Sequence, residues 1–211
     1  FLFIAVFMMF AAGVYFRWFA ACGALLVAAI PLVWNLLLDD YQQKRILVIF
    51  YPELDPDVTW QANRSRIAIS SGGMLGKGLL KGTQTQYSYI PAKHTDSIFS
   101  VAGEEFGYVG CIAIILLLTF IVVRCIYISA RTVGNASSLV CIGVAGMLIF
   151  QMCLNVGMNL GVLPVVGLTL PFFSYGGTSV VATYCSLGIA AGVRKREKRK
   201  RELANELLGG F

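Results

Sequence analysis

Five apolar runs, at 1–16, 18–38, 107–127, 139–160 and 172–193, divide this chain, and all but the shorter first one approach the ~20 residues a helix needs to cross a bilayer. Between the second and third lies 39–106, a long and mostly polar interval. Lipid offers the backbone no hydrogen-bond partners, so such a pattern folds as an all-α polytopic membrane protein, here with one large loop outside the bilayer. Composition agrees: 57% of the 211 residues are hydrophobic and 13% are charged, where soluble domains carry about 25% charged residues. No charged region or cleavage site precedes the first run, which is expected of a segment with further spans upstream rather than of a signal peptide.

The net charge of +6 gathers in "RKREKRKR" at 194–201, directly after the last run. The positive-inside rule makes that end cytoplasmic. Counting back puts Arg17, Arg124 and Arg131 on the same side and 39–106 on the other. The expected division is two spans in 1–38, an extracytoplasmic loop at 39–106, three spans in 107–193 with a re-entrant-like outer loop at 161–171, and a basic cytoplasmic tail at 194–211. Such a tail also reads as an anionic-lipid or nucleic-acid patch. With no basic and aromatic residues interleaved on a soluble surface, membrane lipids are expected partners and nucleic acid is not. All six cysteines, Cys22, Cys111, Cys125, Cys141, Cys153 and Cys185, fall within the apolar runs without CxxC spacing, and they read as small buried apolar residues.

Within the long interval, "TWQANRSRIAIS" at 59–70 reads as a short helix with Trp60, Ile67 and Ile69 on one side and Arg64 and Arg66 elsewhere. The glycines of the following "SGGMLGKGLLKGTQTQ" permit close backbone approach. A phosphate loop is excluded, because Ser71 stands where the first glycine belongs and Gly78 where the hydroxyl belongs, so no nucleotide cofactor is expected. Lys77 and Lys81 suit either an anionic ligand or a plain polar surface.

"KHTDSIF" at 93–99 holds the only histidine, His94, beside Asp96. Either Thr95 or Asp96 caps the helix that follows, or this is a catalytic site. Glu104 and Glu105 read as solvated residues at the membrane boundary. The stretch "NVGMNLGVLPVVGLTLPFFSYGGTS" at 155–179 carries Pro164 and Pro171 among apolar residues, so it is not continuous helix and is expected to line a cavity. Asn155 and Asn159, about one turn apart, are expected to bond between helices.

Asn155, Gly161, Val162, Pro164, Gly167 and "FFSYGGTS", with "SGGMLGKG", "GTQ" and "IPAKHTDSIFSVAGEEFGYVG", resemble the SEDS family (shape, elongation, division and sporulation; the RodA, FtsW and SpoVE type) over essentially the whole chain. "GTQ" and "LPVVG" are closer to the RodA type. The resemblance implies ten spans, of which these are the C-terminal five, and a bacterial cytoplasmic-membrane peptidoglycan glycosyltransferase that polymerises lipid II during cell elongation beside a class B penicillin-binding protein. It further implies that Asp96 is the essential catalytic residue, with His94 and Thr95 supporting or orienting it, and that this segment alone is inactive.

One carboxylate suffices for that chemistry. A lipid diphosphate leaves as a stable anion and needs no acid, unlike the leaving group of a glycosidase, whereas the attacking sugar hydroxyl needs a base. The diphosphate calls for positive charge or a divalent cation, Mg2+ or Mn2+. Arg64, Arg66, Lys77, Lys81 and Lys93 are candidate contacts by charge and side. Asn155, Pro164, Gly167, Pro171, Ser174, Gly176 and Gly177 are expected to line the cavity. The chain departs from the family pattern at Ala92 (usually Glu), Ser97 (usually Phe) and Arg64-Ser65 (usually Gln-Ser). Rival readings are a lipid II transporter, which predicts more ionisable residues along the spans than Arg124, and a non-catalytic scaffold, which leaves Asp96 without a task.

Overall fold

The structure is a computed structural model that describes residues 2–36, 38–48, 51, 56–87, 89–90, 92, 94–132 and 134–208; Lys93 lies outside them. The described residues form helices and no strand: α1 Leu2–Ala11, α2 Phe16–Leu36, α3 Asp40–Leu47, α4 Pro56–Gly72, α5 Thr83–Gln86, α6 Ile98–Ala130, α7 Asn135–Asn159 and α8 Gly177–Leu208. Helices α2, α6 and α7 are long and apolar enough to cross a membrane.

The helix of the last apolar run starts later than the run itself. Residues 172–176 form a turn in which Phe172 takes a φ of 67°, and the helix starts at Gly177. It then continues without a break through the basic segment to Leu208. Lys, Arg and Glu are good helix formers, and Lys198 and Glu202 pair one turn apart at 3.5 Å.

Much of the long interval is helical too. The helix foreseen at 59–70 is α4, but it buries Ser65 and Ala68, with Ile69 packed on the core, while Trp60 and Ile67 are exposed. Residues 65, 68, 69 and 72 share one helix face. Two residues apart on a helix, Ile67 and Ile69 point in different directions, which the grouping with Trp60 overlooked.

Helix α6 breaks at Gly107 (φ 68°, ψ −165°). Its 33 residues extend roughly 50 Å, well past a hydrocarbon core of about 30 Å. The part after the break, 108–130, is long enough to span by itself. Val122 and Cys125 of α6 pack against Cys141, Val144, Ala145 and Leu148 of α7 and Ala190 of α8. A second core, nearer Asp96, joins Phe99, Ala102, Cys111, Ile114 and Leu118 to Leu170. On α7, Gly143 and Gly146 admit Met8 and Phe7 of α1, and Phe3 stacks on Phe150 at 4.8 Å. Cys111, Cys125 and Cys141 are buried, but Cys22, Cys153 and Cys185 are exposed. Lipid is as apolar as a helix interface, so nothing drives those thiols inward.

Candidate functional site

Three consecutive carbonyls anchor the His94-Thr95-Asp96 turn. That of His94 accepts the Tyr175 amide N–H at 2.8 Å, and that of Thr95 accepts the Ser174 hydroxyl at 2.7 Å. The Asp96 carbonyl accepts the side-chain amides of both Asn155 and Asn159, each at 3.0 Å. An irregular turn has no ladder to occupy its carbonyls, and leaving one buried and unpaired costs about 1–3 kcal/mol. The donors come from α7 and from the turn ahead of α8, so the two stretches that carry the family resemblance meet here.

These donors are themselves fixed. Asn155 also donates to the Leu168 carbonyl at 2.6 Å. Asn159 donates to the Asn155 carbonyl at 2.8 Å and accepts the Ser100 hydroxyl at 2.7 Å. Ser174 accepts the Leu170 N–H at 2.7 Å, and the Thr169 and Ser179 hydroxyls lie 2.7 Å apart. Asn155, Asn159, Pro171 and Ser174 are buried, whereas Gly167 and Gly177 are exposed and Pro164 and Gly176 half-buried. The asparagine amides therefore serve mainly loop backbone, and Ser100–Asn159 is the bond between helices that their spacing suggested.

Helix α6 starts after Ser97 with no side-chain cap. The Thr95 hydroxyl donates instead to the Ala92 carbonyl at 3.3 Å. Capping therefore does not occupy Asp96. Its carboxylate is half-buried, with Oδ2 only 3.4 Å from where a Cβ on Gly167 would stand. Burial pushes its pKa above the ordinary carboxylate value, the direction that suits a proton acceptor working near neutral pH. His94 is exposed and borders an open cavity of about 440 Å³ with Ile98, Phe173 and Tyr175.

The cationic candidates separate. Arg66 is exposed, lies against Gly161, and borders a cavity of about 520 Å³ with Met74, Tyr108 and Leu160. Arg64 sits over the rings of Trp60 and Tyr89, 5.4 and 5.2 Å from their centroids, and Lys81 is exposed. Lys77 turns the other way, its ammonium 2.9 Å from Glu104.

Glu104 is the residue whose environment the sequence reading missed. It is fully buried, and Glu105 is buried beside it, where both were expected in solvent. Oε1 accepts from Lys77, Gln84 N–H and Thr83, at 2.9, 2.9 and 3.3 Å, and Oε2 from Thr85 N–H and hydroxyl, at 2.9 and 2.7 Å. Burial alone would raise its pKa, but the Gln84 amide, Lys77 and Thr85 outweigh that and lower it to about 2.

Around it the glycine-rich loop lies directly on the broken start of α6. Lys77 and Gly78 donate backbone N–H groups to the Glu104 and Glu105 carbonyls, both at 3.0 Å, and Tyr108 donates to the Gly73 carbonyl at 2.9 Å. A Cβ on Gly72 or Gly76 would collide with the carbonyls of Gly103 and Glu105. The glycines thus serve contact between two backbones. The sequence signal was the coincidence of that glycine run with "GTQT", whose closely spaced donors suit a buried carboxylate.

Among the described residues no group of three His, Cys, Asp or Glu side chains comes together, and Glu104 has both oxygens occupied. These residues do not by themselves build a cage for Mg2+ or Mn2+.

Comparison with known proteins places the chain in a family. The family model described as cell cycle protein, covering FtsW, RodA and SpoVE, matches residues 1–199. Peptidoglycan glycosyltransferase MrdB of Escherichia coli is 36% identical over 194 residues, 92% of this chain and 52% of that protein. An FtsW of Geobacter sulfurreducens is 36% identical over 197 residues, with the same coverage of each. A solved structure described as structural coordination of polymerization and crosslinking by a peptidoglycan synthase complex superposes with a TM-score of 0.76 at 30% identity, covering 93% of this chain and 54% of that one. The chain spans about half the length of the relatives it matches, and it belongs to the FtsW, RodA and SpoVE family of multi-pass membrane proteins.

Proposed function

We propose that the full-length protein is a peptidoglycan glycosyltransferase that polymerises lipid II for cell elongation, with Asp96 as its general base. The observation that carries this reading is the grip on the three carbonyls of His94, Thr95 and Asp96, which fixes the turn through its backbone and leaves the Asp96 carboxylate uncommitted to capping. The names of the relatives support the reaction class, and "GTQ" and "LPVVG" support the elongation role.

In this mechanism Asp96 takes the proton from the N-acetylglucosamine 4-hydroxyl of one lipid II. The freed oxygen attacks the anomeric carbon of the growing strand's terminal muramyl sugar. The carbon–oxygen bond to the diphosphate breaks, and undecaprenyl diphosphate leaves with the bonding pair, inverting an α linkage to β-1,4. Arg66, beside an amphiphilic cavity, leads the candidates for the diphosphate, with Arg64, Lys81 and Lys93 behind it. Lys77 ranks last, because its charge is balanced by Glu104. A divalent cation on the diphosphate would add charge there when bound.

A class B penicillin-binding protein is the proposed partner, supported by the likeness to a complex that couples polymerization with crosslinking. Asp96 and 39–106 are proposed to face outward and the end of α8 the cytoplasm, as the positive-inside rule requires. The test is polymerisation of lipid II by the full-length protein with its transpeptidase partner. Wild type should make glycan strands, and a folded Asp96→Asn variant should lose at least about a hundredfold in rate, the low end of general-base catalysis. Strands made equally by both would remove Asp96 from the mechanism.

A further inference from the structure

At the end of the bundle opposite Asp96, the last turns of α6 and the basic part of α8 enclose a cleft that the proposed chemistry does not use. It has a volume of about 310 Å³ and is bordered by Arg124, Tyr127 and Arg131 of the α6 end and by Arg194, Glu197 and Lys198 of α8. Four cationic side chains thus converge on one hollow lined by a single carboxylate, and Glu202, which is not part of the lining, pairs with Lys198 at 3.5 Å at the exposed rim. Glu197 is buried, and both it and Arg131 are engaged within the protein. The guanidiniums of Arg131 and Arg124 stand 4.5 and 5.8 Å from the Tyr127 ring centroid, so two like charges are held at one aromatic ring.

We propose that this cleft binds the headgroup of an anionic phospholipid in the adjacent leaflet. Charge is the first argument, since gathering cations without enough carboxylates is unfavourable unless an anion completes the set. Depth is the second. Arg124 and Arg131 stand at the end of α6, which is long and apolar enough to span, and Arg194 follows immediately on the apolar stretch 177–193 of α8, so the cleft lies where apolar helix gives way to charge, at the level of the headgroup region. The third is the surface that continues from it. Phe120, Arg124, Tyr127 and Arg131, at i, i+4, i+7 and i+11, lie along one face of α6, with Phe120 64% and Tyr127 45% exposed. A phosphate in the cleft therefore has an apolar strip of α6 leading away from it, which acyl chains can cover and a free anion or a nucleic acid cannot.

The site is tested with the full-length protein in mild detergent, given an equimolar mixture of phosphatidylglycerol and phosphatidylcholine and weighed with its retained lipids by native mass spectrometry. Phosphatidylglycerol adducts should dominate, and their excess should fall about tenfold in Arg124→Gln/Arg194→Gln. Lys195→Gln/Arg196→Gln removes the same charge from exposed positions outside the cleft and should keep the preference. Excess glycerol 3-phosphate, which lacks acyl chains, should leave the adducts in place. Equal retention of the two lipids by wild type overturns the proposal. Equal loss in the two double variants reduces the effect to diffuse charge on α8, and displacement by glycerol 3-phosphate makes it a free-phosphate site; either result also overturns it. If the cleft double variant does not fold, Lys198→Gln on the exposed rim must shift the preference in the same direction, and its failure to do so counts against the site.

Discussion

The side-chain amide of Asn155 reaches across 59 residues of sequence to donate to the backbone carbonyl of Asp96 at 3.0 Å, and the same nitrogen donates to Leu168 at 2.6 Å. One buried amide therefore ties the turn bearing the carboxylate to the irregular segment beside it. Asn155→Ala removes both bonds and leaves the Leu168 carbonyl short of a donor, so stability should fall by about 1–3 kcal/mol. Activity should fall further, because a displacement of the order of 1 Å at a reacting group costs about a hundredfold. Asn155→Asp should be worse, since an ionised carboxylate can only accept and would face two carbonyls. Thermal melts and polymerisation assays on the full-length protein check the order wild type, Ala, Asp.

Gly167 is held at a φ of +72°, and a Cβ there would sit 3.4 Å from Oδ2 of Asp96. Gly167→Ala thus adds a left-handed alanine, at a cost of about 1–2 kcal/mol, and lays a methyl group beside the carboxylate. The methyl displaces water, so the Asp96 pKa should rise further and the acid limb of the rate profile should move to higher pH. A variant with lower activity but an unmoved pH profile would show that backbone strain alone is responsible.

The pH dependence of wild type follows from the direction of the Asp96 shift. A base must be ionised, so polymerisation should decline as pH falls through a pKa displaced upward from 3.8 by burial. For stability the sign is opposite. The folded protein holds this proton more tightly than the unfolded chain, so Asp96 subtracts stability as pH rises from 3.8 through its folded pKa. Asp96→Asn should therefore be inactive yet at least as stable as wild type at neutral pH, which equilibrium unfolding at two pH values would reveal.

The spanning helices and the Asp96 turn were legible because each leaves a local mark: long apolar runs in one case, and a charged, hydrogen-bonding tripeptide in a mostly apolar chain in the other. The fate of Glu104 was not, because Glu-Glu before an apolar run looks the same whether water or a folded loop satisfies it. Only the three-dimensional return of 77–85 onto α6 decides between them. The pairing of Lys77 lay hidden for the same reason, since its charge is visible in sequence and its partner, 27 residues away, is not. The grip of Asn155, Asn159 and Ser174 on the turn lay hidden too, because residue spacing cannot tell a side chain that bonds a neighbouring helix from one that bonds loop backbone.

Glu104 supplies the sharpest stability prediction. Its pKa of about 2 lies below the ordinary 4.5, so its contribution is fully present above pH 4.5 and drains away as pH falls toward 2. Glu104→Ala leaves Lys77, the Gln84 and Thr85 amides and two hydroxyls facing a void, and breaking a buried pair from one side typically costs about 3–5 kcal/mol. Glu104→Gln keeps the shape but brings an NH2 group against donors that expect an acceptor, so it should recover only part of the loss. Lys77→Met should cost less than either, because the carboxylate retains its bonds from 83–85 and the lysine side chain is 29% exposed. Chemical denaturation at pH 7 should rank Glu104→Ala below Glu104→Gln below Lys77→Met. If Lys77 instead serves the diphosphate, Lys77→Met would weaken substrate binding while leaving the melting temperature of the protein nearly unchanged.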